Sequence, residues 1–357
     1  REFASEPSLE IDCITSTLGG QDERVAFSDN ITLHRLAIGK GELHFWTQRE
    51  ILCYLRRAHL KAAELMVGRH YDLCHAFFGF PSGMLGWLRR HQFPYLVSLR
   101  GSDVPGFNPR FSLQYIVLKP LFRRIWRDAG AVIANSAGLR ALARRFEPCV
   151  DIEIIPNGID AREFVPARPE EREGAHLLCV SRLIERKGVQ HLLEALPEVL
   201  RAIPEARLTL VGEGNLEGEL RRRCLELGIG GQVTFAGYVP HAELPALYRR
   251  AELFVQPSFY EGMSNTVLEA MACALPIIAT GEGGREELFH GNAEWVHYGD
   301  HAALAGAIIA LLRDAGRMAR MGSRSREIAE GFSWGAVARR YLGEYERIVA
   351  TTTKNRG

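Results

Sequence analysis

The sequence predicts an α/β protein with two doubly wound parallel-sheet domains. Short apolar segments alternate with amphipathic helical segments along the whole chain, which is the pattern of parallel sheets covered by helices. The 357 residues are enough for two separate hydrophobic cores. Pro and Gly interrupt the alternation in Pro156-Asn157-Gly158, so the predicted domains cover residues 1–157 and 158–332.

Each predicted element follows from one run of this pattern. Apolar runs in the first domain predict strands near 9–15, 31–36, 71–75, 94–99, 130–134 and 151–155, and helical spacing predicts helices near 48–67, 82–91, 110–127 and 136–146. The second domain is predicted to have strands near 175–181, 206–211, 232–236, 252–256, 276–279 and 294–297. Its helices are predicted near 188–202, 215–227, 241–250, 265–273, 301–313 and 315–330, before a final helix at about 333–350.

The composition is that of an ordinary globular protein, with 46% hydrophobic and 24% charged residues and a formal net charge of +1. We expect no nucleic-acid partner, because binding to a phosphate backbone requires a basic excess that this chain lacks. The first domain is nevertheless slightly basic. That bias favours an anionic acceptor or peripheral contact with a membrane, or it is the mixed charge of a solvated surface.

The cysteines and the hydropathy bear on location. Seven cysteines are scattered and never form Cys-x-x-Cys, which favours a reducing compartment. No apolar run approaches the roughly 18 residues of a membrane span. We therefore expect a cytoplasmic protein, with any membrane association peripheral and at the inner face.

One strand–turn–helix segment carries the strongest functional signal. An apolar strand at 253–256 leads through a turn into a helix that starts near Asn265, with Ser264 or Asn265 suited to cap it. Unpaired N–H groups and the dipole at such a helix start bind anions, including a pyrophosphate. Glu261 precedes this point, and Glu269 lies roughly 7 Å beyond it. A bound pyrophosphate would leave one carboxylate near a ribose and the other near a sugar.

Together with the run Glu269-Ala270-Met271-Ala272-Cys273-Ala274-Leu275-Pro276, this segment resembles the retaining glycosyltransferases of family 4, which carry a Glu-x7-Glu motif on a GT-B fold. The alternative is two solvated glutamates, one on a loop and one on a helix surface. The resemblance implies two Rossmann-like domains facing across a cleft, with a nucleotide-sugar donor in the second and an acceptor in the first. It also implies that the helix at about 333–350 packs back on the first domain.

The resemblance further implies transfer of a hexosyl group with retention of configuration. Glu261 would hold hydroxyls of the transferred sugar, and Glu269 would hold the ribose. The other donor-binding residues implied around the turn are Gly262, Met263, Ser264, Asn265, Thr266 and Val267.

A basic loop follows the predicted strand 175–181 and contains Arg182 and Lys187. It lies at the carboxyl edge of the sheet, where α/β proteins bind ligands. Loss of a nucleoside diphosphate leaves negative charge that an Arg and a Lys neutralise without a metal ion. The alternative is a solvated basic loop.

Two further loops are predicted beside the donor. Gly212 and Gly214 follow a strand, but their spacing departs from the dinucleotide-binding fingerprint, and a tight turn explains them equally well. The resembling family holds the nucleotide base, largely by backbone groups, where Tyr238 and Val239 stand in this chain. Because backbone groups are the same in every sequence, the sequence does not indicate which base is bound.

Three residues of the first domain are candidates for the catalytic side of the acceptor site. His75 ends a strand and is suited to bind acceptor or sugar hydroxyls, although a lone His is also often structural. Arg100 stands where many family members have His. Because Arg cannot act as a base, it would bind a phosphate or an acidic acceptor, or pair with Asp103, which is the third candidate.

We expect neither a metal nor another cofactor, because Cys-x-x-Cys, His-Glu-x-x-His and Asp-x-Asp are all absent from the sequence. The expected partners are a nucleotide-sugar donor and a glycan, lipid-linked or small-molecule acceptor. Polysaccharide biosynthesis for the cell envelope is the commonest role in such families.

Other functions stay open at this point. Residues 9–15 resemble the second strand of the family, and no first strand or glycine-rich loop precedes them, so either the sequence is a fragment or the N-terminal sheet is unusual. One alternative is a nucleotide-sugar epimerase or hydrolase of the same fold. The other is a non-catalytic nucleotide-sugar-binding protein, which the missing loop and Arg100 both motivate.

Overall fold

A computed structural model describes residues 1–41, 46–107, 117–281 and 285–356. The chain divides into two compact units. The N-terminal unit comprises Arg1–Asn135, Leu139–Ile155 and Ala338–Gly357, and the C-terminal unit comprises Ser136–Gly138 and Pro156–Val337. The roles predicted for them, acceptor binding and donor binding, stay predictions.

The N-terminal unit contains two sheets. Strands β1 (Ile11–Thr17), β2 (Glu23–Ser28) and β3 (Ile31–Ala37) form the first in the order β1-β3-β2, where β1 is parallel and β2 antiparallel to β3. Strands β4 (Cys74–Phe77), β5 (Tyr95–Ser98), β6 (Ala131–Ala134) and β7 (Ile152–Ile154) form the second, which is parallel and runs in chain order. The sequence prediction missed β2, because most of its side chains are exposed and give no apolar run.

The helices of this unit are α1 (Gln48–Leu65), α2 (Ser82–Leu88), α3 (Lys119–Arg127) and α4 (Ala137–Phe146). Thr47 caps α1 in a capping box with Glu50, which satisfies donors at both positions. Part of the helix predicted at 110–127 lies outside the described residues, since these resume at 117. Fully buried Tyr95, Ile125 and Trp126 lie in the core between the second sheet and its helices.

The C-terminal unit has one parallel six-stranded sheet. Its strands are β8 (His176–Val180), β9 (Arg207–Val211), β10 (Val233–Gly237), β11 (Leu253–Gln256), β12 (Ile277–Thr280) and β13 (Ala293–Val296), in the order β10-β9-β8-β11-β12-β13. The strand order therefore reverses between β8 and β11. In doubly wound sheets, ligands bind beyond the carboxyl ends of the strands at such a switch point. The loop that leaves β8 carries Arg182 and Lys187, and the loop that leaves β11 carries Glu261 and the predicted donor residues of the turn before α8.

Helices cover both faces of this sheet: α5 (Val189–Ala202), α6 (Glu217–Glu226), α7 (Leu244–Arg250), α8 (Asn265–Ala272), α9 (Arg285–Leu288), α10 (His301–Leu312) and α11 (Ala315–Glu330). Leu192 and Ile308 lie in the core on one face, and Val267 and Met271 of α8 lie in the core on the other. Helix α8 is thereby fixed against the sheet, with its N-terminus at the carboxyl edge that β11 reaches.

The last helix, α12 (Trp334–Arg356), starts in the C-terminal unit and belongs to the N-terminal unit from residue 338 onward. There Ile348 packs on Gly130, and the Tyr345 hydroxyl lies 2.6 Å from His75 Nδ1. Within the described chain, no helix combines the length and the apolarity needed to span a bilayer.

Candidate active site

The loops around the switch point of the C-terminal sheet are joined by backbone hydrogen bonds. The N–H of Leu183 donates to the carbonyl of Glu213 at 2.9 Å, and the N–H of Phe259 donates to that of Arg186 at 2.8 Å. Gly188 has φ +65°, and a Cβ there would collide with the carbonyl of Pro257. Glycine is therefore required where the loop after β8 meets the loop after β11.

The predicted donor residues Gly212 and Gly214 also lie in this assembly. A Cβ on Gly212 would meet the carbonyl of Ser181, and one on Gly214 would meet that of Leu183. Both glycines thus allow close approach of two backbones, which is the turn role that the sequence left open. A direct contact with the donor stays a prediction.

An ion pair joins the two loops. Lys187 Nζ is bonded to Glu261 Oε1, and the two side chains are only 13% and 18% exposed. Arg182 is half-buried beside them, and no carboxylate of the described residues lies within 4 Å of its guanidinium. Burial, and next the charge of Arg186, lower the pKa of Arg182, while Glu261 opposes them. Two cations and one carboxylate predicted to act together therefore do lie together.

Ser264 caps helix α8. Its Oγ accepts from the N–H of Val267 at 3.4 Å and donates to Gln256 Oε1, at the end of β11, at 2.9 Å. Met263 and Val267 are buried in the core. Their side chains are therefore unavailable, and any donor contact that they make comes from the backbone.

Asn157 holds the turn before this helix. Its Nδ2 donates to Asn265 Oδ1 at 2.8 Å and to the carbonyl of Met263 at 3.2 Å. The sequence placed Asn157 at a domain boundary and gave no sign of these contacts, because its partners lie more than a hundred residues away.

Glu269 is buried on α8, and sequence reasoning missed the residues that bind it. The Tyr248 hydroxyl donates to Glu269 Oε2 at 2.7 Å, and Nε2 of the exposed His241 lies 3.5 Å from Oε1. Burial raises the pKa of the Glu269 carboxyl, although the hydrogen bond from Tyr248 and the proximity of His241 oppose the shift. Burial and the neighbouring carboxylate raise the pKa of Tyr248 well above its ordinary value.

Neither of the two key carboxylates points into bulk solvent. Glu261 precedes α8 and is hydrogen-bonded to Lys187, whereas Glu269 lies about one and a half helical turns past the cap, where it contacts Tyr248. Tyr238, after β10, is 70% exposed, and Val239 packs against the core. Of these two predicted base-binding residues, only Tyr238 offers a free side-chain face.

The predicted catalytic residues of the N-terminal unit are placed differently. The nitrogens of His75 lie 2.6 Å from the Tyr345 hydroxyl and 2.7 Å from that of Ser98. Burial, and next the charge of Arg100, lower the pKa of His75 to about 3. A ring that is neutral and bonded at both nitrogens favours the structural role over the catalytic one.

Asp103 also makes hydrogen bonds to structural partners. Its Oδ2 accepts from the N–H of Gly79 at 2.6 Å, and its Oδ1 accepts from those of Arg100 and Gly101 at 2.9 Å. Burial raises the pKa of this carboxyl, against the effect of its backbone donors. Asp103 thus joins the turns after β4 and β5, and this geometry does not favour the predicted catalytic role.

Arg100 is half-buried at the same edge. Its Nη2 donates to the Tyr341 hydroxyl at 3.2 Å, and its guanidinium carbon lies 5.0 Å from the ring centroid of the exposed Phe77. Among the described residues, no group of three or more His, Cys, Asp or Glu side chains is arranged to hold a metal ion.

The switch point of the doubly wound C-terminal sheet thus brings together the start of α8, Arg182, Lys187 and the two carboxylates. Residues 161–328 match the family model described as "Glycosyl transferases group 1", and residues 8–158 match the "Glycosyl transferase 4-like domain". These matches cover most of the chain, and it belongs to the GT-B glycosyltransferases of family 4. The predicted fold and family are thereby confirmed.

Three comparisons illustrate this membership. The chain is 35% identical, over 238 residues, to the GDP-mannose-dependent alpha-(1-6)-phosphatidylinositol monomannoside mannosyltransferase of Mycolicibacterium smegmatis, a match that covers 61% of this chain. It is 28% identical, over 351 residues, to the D-inositol 3-phosphate glycosyltransferase of Kineococcus radiotolerans, covering 86% of this chain and 78% of that protein. The solved structure of sucrose-phosphate synthase from Thermosynechococcus elongatus superposes with a TM-score of 0.82 at 26% identity, covering 98% of this chain and 92% of that one.

The chain spans about 62% of the length of the curated mannosyltransferase that it matches.

Proposed function

We propose that the protein is a retaining hexosyltransferase that moves a sugar from a nucleotide-sugar donor to a glycan, lipid-linked or small-molecule acceptor without a metal ion. Family membership supports the reaction class. The proposal depends above all on one observation, the Lys187–Glu261 ion pair beside Arg182 at the switch point of the C-terminal sheet.

The donor diphosphate would bind at the start of α8. Ser264 satisfies the N–H of Val267, which leaves the earlier N–H groups of the first turn for phosphate oxygens. Arg182 and Lys187 would complete the cradle from the loop after β8. Their charges stabilise the diphosphate as the bond between its oxygen and the anomeric carbon breaks, because the electron pair of that bond moves onto the phosphate.

Retention follows if the acceptor hydroxyl attacks from the face that the leaving group vacates. The departing phosphate oxygen would then take the proton of that hydroxyl, so the protein need not supply a separate base. Glu261 would accept hydrogen bonds from sugar hydroxyls and favour positive charge that develops on the ring. Its ion pair with Lys187 fixes its orientation before the donor arrives.

The nucleoside would lie toward Glu269 and Tyr238. Tyr248 holds Oε2 of Glu269, which leaves Oε1, beside the exposed His241, to accept a bond from a ribose hydroxyl. Tyr238 offers an exposed ring for the base, while backbone groups near Val239 would read its edge.

The acceptor would bind at the carboxyl edge of the N-terminal sheet. Arg100 above the exposed Phe77 combines a cation with an aromatic face, a pairing that suits a sugar ring carrying a phosphate. The names of the two relatives, which contain phosphatidylinositol and inositol 3-phosphate, support a phosphorylated acceptor. A lipid-linked acceptor would bring this unit into peripheral contact with the cytoplasmic face of a membrane, as a step in cell-envelope assembly.

Both relatives are named as transferases, and this favours transfer over the epimerase, hydrolase and non-catalytic alternatives. Thermal-shift measurements with UDP, GDP, ADP and TDP, each with and without EDTA, test the donor part. We expect one nucleotide to stabilise the protein, EDTA to change nothing, and Glu269→Ala to weaken that nucleotide by about 10- to 100-fold. Glu219→Ala, an exposed glutamate on α6, is the matched control and should bind normally.

Two outcomes would contradict the proposal. A strict requirement for a divalent cation would exclude the metal-free scheme. Conversion of the donor to free sugar or to an epimer at full rate without any acceptor would replace the transferase with a hydrolase or an epimerase.

A further inference from the structure

Helix α1 presents one continuous exposed stripe, which we call the α1 outer face. Its members follow each other at intervals of three or four residues and so lie on one side of the helix. They are Arg49, Leu52, Arg56, Leu60, Ala63 and, in the turn after the helix, Val67. The opposite side of α1 packs on the N-terminal unit through the buried Tyr54 and Ala58.

The apolar members of this face are unusually exposed. Leu52 is 67%, Leu60 is 59% and Val67 is 81% exposed. These three side chains are therefore available for contact with a partner.

The charges of the face are all positive. No carboxylate of the described residues lies within 4 Å of Arg49 or Arg56. Of the two acidic residues of the helix, Glu50 is buried and accepts bonds from Thr47 and Gly41, and Glu64 pairs with Lys61. Among the described residues, the outer face therefore offers apolar groups beside two cations that have no carboxylate partner.

Helix α6 of the C-terminal unit shows that an exposed leucine alone means little. Its Leu225 is 76% exposed, but the arginines around it are paired, Arg222 with Glu226 and Arg221 with Glu217. Scattered apolar residues on a charge-balanced surface are normal in soluble proteins. The α1 outer face differs in combining several apolar residues with unbalanced positive charge.

We propose that the α1 outer face docks on a bilayer surface that contains anionic phospholipids. Arginine guanidinium groups bind headgroup phosphates, and long basic side chains remain at that level while neighbouring leucines enter the acyl boundary. A protein partner would need carboxylates opposite both arginines, whereas an anionic bilayer supplies phosphates along the whole stripe. This inference deepens the proposal of a lipid-linked acceptor, and so rests on it, but its test needs no donor chemistry.

Flotation of the full chain with vesicles tests it. We expect binding to vesicles of phosphatidylcholine mixed with phosphatidylglycerol and no binding to phosphatidylcholine alone. Arg49→Gln combined with Arg56→Gln should lower the partition coefficient roughly 30-fold, since each basic residue contributes about one factor of five near an anionic surface. Leu52→Ser combined with Leu60→Ser should lower it by about tenfold or more. The matched control, Leu225→Ser, should bind as the wild type does.

Failure of wild-type binding to anionic vesicles, or an equal loss in Leu225→Ser, would overturn the docking proposal. So would an α1-dependent dimer in sedimentation velocity, because a second copy would then cover the face. Melting curves of all variants with the stabilising nucleotide show that they are folded and bind donor. If wild-type protein binds nucleotide but not vesicles, only the docking proposal is refuted. If it binds vesicles but no nucleotide, only the proposed donor site is refuted.

Discussion

The carboxyl edges of the two parallel sheets both carry ionisable side chains, but the partners of these side chains differ. At the C-terminal sheet, Lys187 and Glu261 bond to each other across two loops and lie beside Arg182. At the N-terminal sheet, His75 is half-buried and Asp103 is buried, and every side-chain nitrogen or oxygen of the two is hydrogen-bonded to a structural partner. At the C-terminal sheet, charged side chains bond to each other. At the N-terminal sheet, His75 and Asp103 bond to groups that stabilise the fold.

The difference teaches that strand-end position alone does not identify a catalytic residue. What separates the edges is the kind of partner. Charged side chains that pair with each other can exchange those bonds for bonds to a ligand, whereas a carboxylate that accepts three backbone N–H groups cannot leave them without unfolding its turns. Three experiments, in order of expected effect, test this distinction.

Glu261→Gln should give the largest effect. The amide keeps the size of the side chain but loses the charge that pairs with Lys187 and would favour the transition state. We expect turnover to fall about 100- to 1000-fold, with affinity for the free nucleoside diphosphate changed by less than about threefold. Initial rates and nucleotide titrations measure the two quantities.

The matched variant at the other edge is His75→Gln. The folded fraction of this variant should retain most of the wild-type turnover at pH 7. If His75→Gln abolished turnover while Glu261→Gln spared it, the contrast between the two edges would be reversed.

The stability of the N-terminal unit should depend on the same His75 in acid. Its folded pKa is about 3, against an ordinary value of 6.5, so the unfolded chain binds the additional proton between these values. The contribution of neutral His75 to the free energy of unfolding is therefore complete above pH 6.5 and is lost as the pH falls toward 3. At pH 5 the loss is about 2 kcal/mol. Urea unfolding between pH 5 and pH 8, followed for wild type and His75→Gln, measures it.

His70→Gln, at an exposed histidine, should leave the pH dependence of the wild type intact. If the free energy of unfolding depended on pH equally in wild type and His75→Gln, the His75 ring would not resist protonation in the folded protein.

The smallest effect separates a cap from a ligand site. Ser264→Ala and Asp300→Ala each remove an N-cap, that of α8 or of α10, and each should lower the free energy of unfolding by about 1 kcal/mol. Only Ser264→Ala should also lower the affinity for the nucleotide, by roughly threefold to tenfold, because of the two helices only α8 starts at the switch point. Calorimetric titration measures the nucleotide affinity of both variants. Equal affinity would mean that the start of α8 does not bind the donor.

Local patterns predicted most of the fold. Apart from the short helix α9, which was not predicted, the strands and helices of the C-terminal unit start and end close to their predicted positions, because each is an apolar run or a helical period bounded by turn residues. Ser264 was one of two predicted caps and is the observed one. Strand β2 was missed because an exposed edge strand has no apolar run.

The site was predictable only as far as its contacts are local. Strand, turn and helix spacing placed Glu261 and Glu269 at one helix start. The partners that fix their chemistry, Lys187 and Tyr248, come from other elements, and nothing in the local pattern reveals such pairs. His75 shows the same limit, since one of the two partners that favour a structural role for it, Tyr345, lies 270 residues away in the chain.

The N-terminal unit is not a continuous stretch of polypeptide. Residues 338–357 complete it, and they bring the hydroxyl of Tyr345 to His75 and the side chain of Ile348 to Gly130. A gene fragment that stops at the boundary near residue 155 would thus encode an incomplete body with its histidine stripped of one partner. A version of the N-terminal unit made by itself should therefore include residues 338–357.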